Sequence, residues 1–224
     1  MTLKLALWLL WAGFIVYILL LAPPLHLDAT LTLLKNIFTL QWAAINPIIL
    51  CLFSLVGIWL LIYSGLLFID GRMQWIPFWP FAIASVGSGV LGLLPYLALR
   101  EPNQQFSGQK DAFLRLLDSR IYGIVLALST LVLLIYGFAL GDWGDYVQQF
   151  QSDRFINGMS LAFCLFYLLF PTVVGDDMAR RRFPNTQVFL AVVFVPLLGS
   201  LAYLCLRPPL VSSTIREESI IANR

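Results

Sequence analysis

Six long apolar runs dominate this chain, and they leave it very few ways to fold. They lie at roughly 5–22, 46–69, 79–99, 120–140, 157–175 and 187–206, and none has an Asp, Glu, Lys or Arg in its middle. About 20 helical residues cross the hydrocarbon core of a bilayer. In lipid every backbone N–H and C=O must be satisfied internally, which leaves helices or closed barrels. Unbroken runs of this length are not barrel strands. The sequence therefore predicts an all-α fold, a polytopic transmembrane helical bundle of six spans. The charge content agrees, at 12% against roughly 25% in soluble domains, and excludes a soluble globular protein.

The junctions between runs carry helix punctuation. Asn46-Pro47 reads as a cap followed by proline at the first helical position. Asp70-Gly71 reads as a turn, Pro77 and Pro80 flank the third run, Pro184 precedes the sixth and Arg207-Pro208-Pro209 ends it. Trp75, Trp79 and Trp143 sit where an aromatic belt would. Residues 5–22 read as a retained signal-anchor helix.

Residues 28–45 allow two readings. Thr32, Lys35, Asn36 and Thr39 form one narrow polar stripe at helical spacing, with Leu31, Leu34, Phe38 and Trp42 elsewhere on the helix. A helix lying in the membrane interface fits this pattern; a seventh span is the alternative. A weaker version recurs in 142–156, where Trp143, Val147 and Phe150 are set against three aspartates. Residues 1–210 are expected to form one transmembrane domain, followed by a polar tail at 211–224.

Shifted by 107 residues, segment 57–102 lies over 164–209 without a gap, and 13 of 46 positions are identical. Asp70 meets Asp177, Pro77 meets Pro184, Gly92 meets Gly199, and Tyr96-Leu-Ala-Leu-Arg100 meets Tyr203-Leu-Cys-Leu-Arg207. The match reads either as recurring helix-ending grammar or as a duplication with units 1–102 and 112–209. Three spans per unit would face the copies oppositely, an inverted 3+3 repeat as in several transporter folds. Asp70, Arg100, Asp177 and Arg207 are then repeat junctions. Arg100 and Arg207 would end helices on opposite membrane faces, each snorkelling to the headgroups. Counting Lys and Arg by loop places 100–120 and 180–182 on the cytoplasmic side and both termini on the far side.

Gly87-Ser-Gly89-Val-Leu-Gly92 matches a dinucleotide-binding pattern in letters only, because it lies inside an apolar run rather than between a strand and a helix. The physical reading is a helix-packing face of Ala84, Ser85, Ser88, Gly89 and Gly92. In Asp176-Asp177-Met-Ala-Arg180-Arg181-Arg182 the arginines are candidates for contact with an anionic group, a lipid headgroup or a partner. The alternative there is a topology signal with local Asp–Arg pairing. No catalytic set, metal site or cofactor-binding motif is legible. Cys51, Cys164 and Cys205 read as packing residues, and one histidine, His26, is too few for histidine-ligated metals or haem. A net charge of +2 gives no basic face for nucleic acid.

Asp70-Gly-Arg72 through Trp79-Pro-Phe to Leu94-Pro-Tyr-Leu-Ala-Leu-Arg100 resembles a family of multi-spanning membrane proteins of cyanobacteria and plant chloroplasts. So do Phe155-Ile through Leu169-Phe-Pro171 to Gly175-Asp-Asp-Met-Ala-Arg-Arg181, and Leu204-Cys-Leu-Arg-Pro-Pro209. The resemblance covers roughly 45–210 and implies a setting, a cyanobacterial thylakoid or plasma membrane, but no functional residues. The expected function is that of a non-catalytic integral membrane protein accompanying or assisting assembly of a photosynthetic or respiratory complex. The alternative is a small-molecule or lipid transporter built on the inverted repeat. The expected partners are the bilayer and other membrane-protein subunits; a bound lipid or carotenoid is the one compatible cofactor class.

Overall fold

A computed structural model describes residues 2–107 and 110–210, so the expected polar tail at 211–224 lies outside the described residues. Four helices are long and apolar enough to cross a membrane. The first is α1 (Leu3–Val16), continued by a π-helical turn over Tyr17–Leu21. The others are α3 (Pro47–Asp70), α7 (Arg120–Leu140) and the pair α9 (Arg154–Leu169) and α10 (Pro171–Arg180), which join at Phe170-Pro171. Between them run α2 (Leu27–Phe38), α6 (Ala112–Leu117) and α8 (Trp143–Ser152). With 12 residues, α2 reaches only about 18 Å at 1.5 Å per residue, so no seventh span exists there.

Two of the expected spans are not single long helices. Residues 79–99 are two short helices, α4 (Trp79–Ser88) and α5 (Val90–Leu99), folded against each other. Each has 10 residues, about 15 Å of helix against a hydrocarbon core of about 30 Å. The break is at Gly89, whose φ of +59° and ψ of −129° suit a residue without Cβ. Gly92 lets the helices touch, since a Cβ there would stand 2.5 Å from the Ser85 backbone nitrogen. Of the predicted packing face, Ser85 and Gly92 thus meet each other across the hairpin and Gly89 is its turn. Ser88 is exposed, and Ala84 is an exposed side chain on a backbone that Gly92 approaches.

The sixth run repeats the construction with α11 (Thr186–Phe194) and α12 (Leu198–Leu206). Pro196, which has no N–H to donate, and Leu197, at φ +59°, break the helix. A Cβ on Gly199 would come within 2.9 Å of the Val192 carbonyl.

Both hairpins enter and leave from the same end of the bundle. Arg100, which follows α5, bonds Asp70 at the end of α3, and Arg207, which follows α12, bonds Asp177 in α10. At this end Lys4 also bonds Glu101, and Arg72 bonds Asp111. This arrangement does not show the expected inverted repeat or the separation of Arg100 from Arg207, and it puts the N-terminus at the same end as loop 100–120. The reason is topological: each hairpin returns to the end it left, so each half holds two long helices and the halves run parallel.

Lys4, Arg72, Arg100, Lys110, Arg115, Arg120, Arg180, Arg181, Arg182 and Arg207 stand at this basic end, with Lys35 and Arg154 at the other. The core lies where α3 crosses α9. Trp59 and Tyr63 interlock there with Phe166 and Phe170, the Trp59 and Phe166 rings stacked with centroids 6.5 Å apart.

Candidate functional site

The strongest concentration of chemistry is a cluster of carboxylates and guanidinium groups at the basic end. Asp70 ends α3 with a fully buried side chain. It accepts hydrogen bonds from the Tyr96 hydroxyl (2.9 Å), Arg100 Nε (3.1 Å) and Arg180 Nη1 (2.7 Å). Asp177, in α10 and also fully buried, accepts from the Tyr203 hydroxyl (2.7 Å), Arg207 Nη1 (3.3 Å) and Arg181 Nε (2.8 Å). Asp70, Tyr96 and Arg100 each have their counterpart 107 residues on, in Asp177, Tyr203 and Arg207.

The two sets are also laced together. Arg100 Nη1 donates to the Thr172 carbonyl (3.1 Å), and Arg207 Nη1 donates to the Gly65 carbonyl (3.3 Å). Thr172 and Gly65 are again 107 apart, so each arginine reaches the helix of the opposite half. Arg180 Nη2 stands 3.9 Å from Asp177 while its Nη1 bonds Asp70, which brings both carboxylates to one guanidinium.

The outer layer comes from loops. Arg181 Nη1 donates to Asp118 (2.5 Å) and to the Pro208 carbonyl (2.6 Å), and Lys110 completes Asp118 at 2.8 Å. Asp176 takes Arg100 Nη2. Asp118 is drawn in two directions: burial raises its pKa, but Arg181, Lys110 and Arg207 outweigh burial and hold its carboxyl below the usual range. Burial likewise works against the charge of Arg181, and Asp177 with Asp118 overcomes it and pushes its pKa up.

This closure corrects the role expected of the arginines, since Arg180 and Arg181 have no exposed side-chain surface. Both pair with internal carboxylates, Arg180 through Nη1 while its Nε and Nη2 have no hydrogen-bond partner, and neither presents surface to an outside anion; Arg182 alone of the three is exposed. The alternative of local Asp–Arg pairing fits Asp177 and Arg181, one helical turn apart. Arg100 and Arg207 are buried as well, at 5% and 4% exposure, and do not snorkel. Repeat arithmetic picked out Asp70, Arg100, Asp177 and Arg207. It missed Asp118 and the carbonyls of Gly65 and Thr172, for which the sequence carries no signal. Ile45-Asn46 also recurs in the sequence as Ile156-Asn157, 111 residues on, but without a structural counterpart: Asn46 caps α3, whereas Asn157 lies inside α9 and accepts from the Tyr17 hydroxyl (2.9 Å).

Arginine keeps its proton at any physiological pH, and each of these carboxylates already holds at least one arginine, so the cluster suits mechanical joining better than proton transfer. Among the described residues no group of three or more His, Cys, Asp or Glu is placed to hold a metal ion. Two cavities lie elsewhere. A polar one of about 400 Å³ opens at the opposite end between α2, the start of α3 and the α8–α9 junction. An apolar groove of about 370 Å³ runs between α1 and α9, and Cys164, expected in the core, is exposed there; Cys51 is buried and Cys205 half-buried. Compared with protein-family models, curated proteins and solved structures, the chain matches none.

Proposed function

We propose that this chain is a non-catalytic integral membrane protein that accompanies or assists assembly of a larger membrane complex. Its photosynthetic or respiratory setting is the one implied by the family resemblance. The observation that supports the reading is the closed charge cluster. Its carboxylates and arginines pair with one another in the interior, which is what a rigid docking scaffold needs. The outer face of α7 adds to it: Ile124, Leu128, Leu131, Ile135 and Phe138 stand exposed along a whole span, a surface for lipid or for partner helices. The recurrence of contacts at an offset of 107 supports a duplicated unit of two crossings and one hairpin. The basic end is assigned to the cytoplasmic or stromal side by the positive-inside rule.

Affinity purification from membranes extracted in mild detergent tests this reading. Defined complex subunits should come down with the chain. Recovery of the free chain at every detergent strength would overturn it.

A second reading, a carrier of a lipid or another apolar molecule, no longer has an inverted repeat to rest on. It is favoured instead by the groove between α1 and α9, lined by Leu9, Gly13, Leu161 and Cys164. Transfer of a fluorescent lipid between vesicles, accelerated by the chain and blocked by Gly13→Phe, would support it.

A further inference from the structure

The polar cavity at the end opposite the charge cluster is a site of its own. Asp28, Thr32 and Asn36 lie at i, i+4 and i+8 on α2, and all three line it. Gln149 and Asp153 face them from the α8–α9 junction, over a floor of Ile45 and Ile49. Asp153 is occupied in capping α9 through the Phe155 and Ile156 amides. The side chains of Asp28, Thr32 and Asn36 make no hydrogen bond among the described residues, so one ridge of unengaged donors and acceptors looks into a cavity of about 400 Å³. The flank of α2 beside this ridge is apolar and exposed at Leu27, Leu31 and Phe38.

The chemistry narrows the ligand. No lysine or arginine lines the cavity, and its carboxylates repel a phosphate or sulfate. No aromatic ring lines it either, so it lacks the cage that favours a quaternary ammonium. Amides, a hydroxyl and carboxylates together serve groups that both donate and accept, and hydroxyls do both. The apolar floor suits the C–H face of a ring, and the apolar flank of α2 suits an acyl chain beside it. We propose that this cavity binds the neutral, multi-hydroxyl headgroup of a glycosyl lipid, with Asp28, Thr32 and Asn36 as the reading groups. The proposal is independent of the scaffold reading, because it concerns the other end of the molecule.

The test uses the full chain, purified in a detergent without a sugar headgroup and placed in phosphatidylcholine nanodiscs. Monoglucosyl diacylglycerol, phosphatidylglycerol and free glucose are offered separately, and bound molecules are counted by native mass spectrometry. The glucosyl lipid should be retained over phosphatidylglycerol. Thr32→Val with Asn36→Leu should weaken its retention about tenfold, as expected for losing hydrogen bonds in a half-closed site, with the melting temperature unchanged. Equal retention of phosphatidylglycerol would overturn the headgroup chemistry. Free glucose binding as well as the lipid would overturn the lipid assignment. Undiminished retention by a folded double variant would overturn the site.

Discussion

The halves 1–102 and 112–209 share a lock and differ in what surrounds it. Both place an Asp at the basic end of a long helix, then a Tyr and an Arg on the return arm of a hairpin, at the same spacing. In both, the return arm packs on the first crossing helix of its own half, α5 on α1 and α12 on α7. The second half adds Arg180 and Arg181 at the end of its long helix, where the first has Met73 and Gln74 in the loop that follows α3. It is also the second half that bends, at Pro171.

The flanks differ further. On one side α7 closes tightly on α3, with Gly137 against Cys51 and Gly141 against Ile48. On the other, α1 and α9 stand apart along the apolar groove and meet at Tyr17–Asn157. The comparison separates what the architecture requires, an anchor for each hairpin, from what is free to diverge. A hairpin that returns to the end it left has nothing at the opposite end of the bundle to hold it. A buried Asp–Arg–Tyr bond set at its base supplies that hold.

The sharpest way to break the comparison is topological and all-or-none. With Cys51, Cys164 and Cys205 replaced, Trp75→Cys and Gln104→Cys should react with an impermeant thiol reagent from the same side of sealed vesicles, and Gln151→Cys only from the other. Opposite labelling of 75 and 104 would restore a crossing at 79–99 and remove the parallel halves.

Next in size are the anchors. Asp70→Asn and Asp177→Asn each leave buried arginines without their counter-charge, and breaking a buried pair from one side costs about 3–5 kcal/mol. Thermal unfolding in detergent should show losses of similar size for the two. A neutral result at one position would make the lock a property of one half only. Tyr96→Phe and Tyr203→Phe remove a single hydrogen bond to a carboxylate, for which about 1.5–3 kcal/mol is expected in the same assay.

The glycines rank the two hairpins. Gly92→Ala should destabilise by about 1–3 kcal/mol, as overpacking against backbone does, and Gly199→Ala by less, because its added Cβ meets the opposite arm at 2.9 Å rather than 2.5 Å.

The smallest expected effect is acidic. The Asp118 pKa is depressed in the fold, so its contribution is complete above the unfolded carboxyl value of about 3.9 and is lost as pH falls through the folded value. Asp118→Asn should flatten that acid limb of the stability profile and leave the neutral-pH topology intact.

The sequence by itself determined that this chain is helical and built for a membrane, because 60% apolar residues in unbroken runs leave no other way to satisfy a backbone in lipid. It also determined where α3 begins, since Asn46 caps it through a side-chain oxygen as Asn46-Pro47 predicts; Ser119, Asp142, Asp153 and Asn185, which the sequence reading did not single out as caps, cap their helices in the same way. Those are local matters, decided by hydropathy and by hydrogen bonds two or three residues away. Whether 79–99 and 186–206 cross or turn back was decided only in three dimensions. A 20-residue apolar run reads the same either way, and the clues at Gly89, Gly92 and Pro196 become decisive only once Asp70 and Asp177 hold the returning arms. The arginines at 100, 180, 181 and 207 look like surface charges in the sequence. They are interior because four carboxylates, drawn from three separate stretches of chain, converge on them.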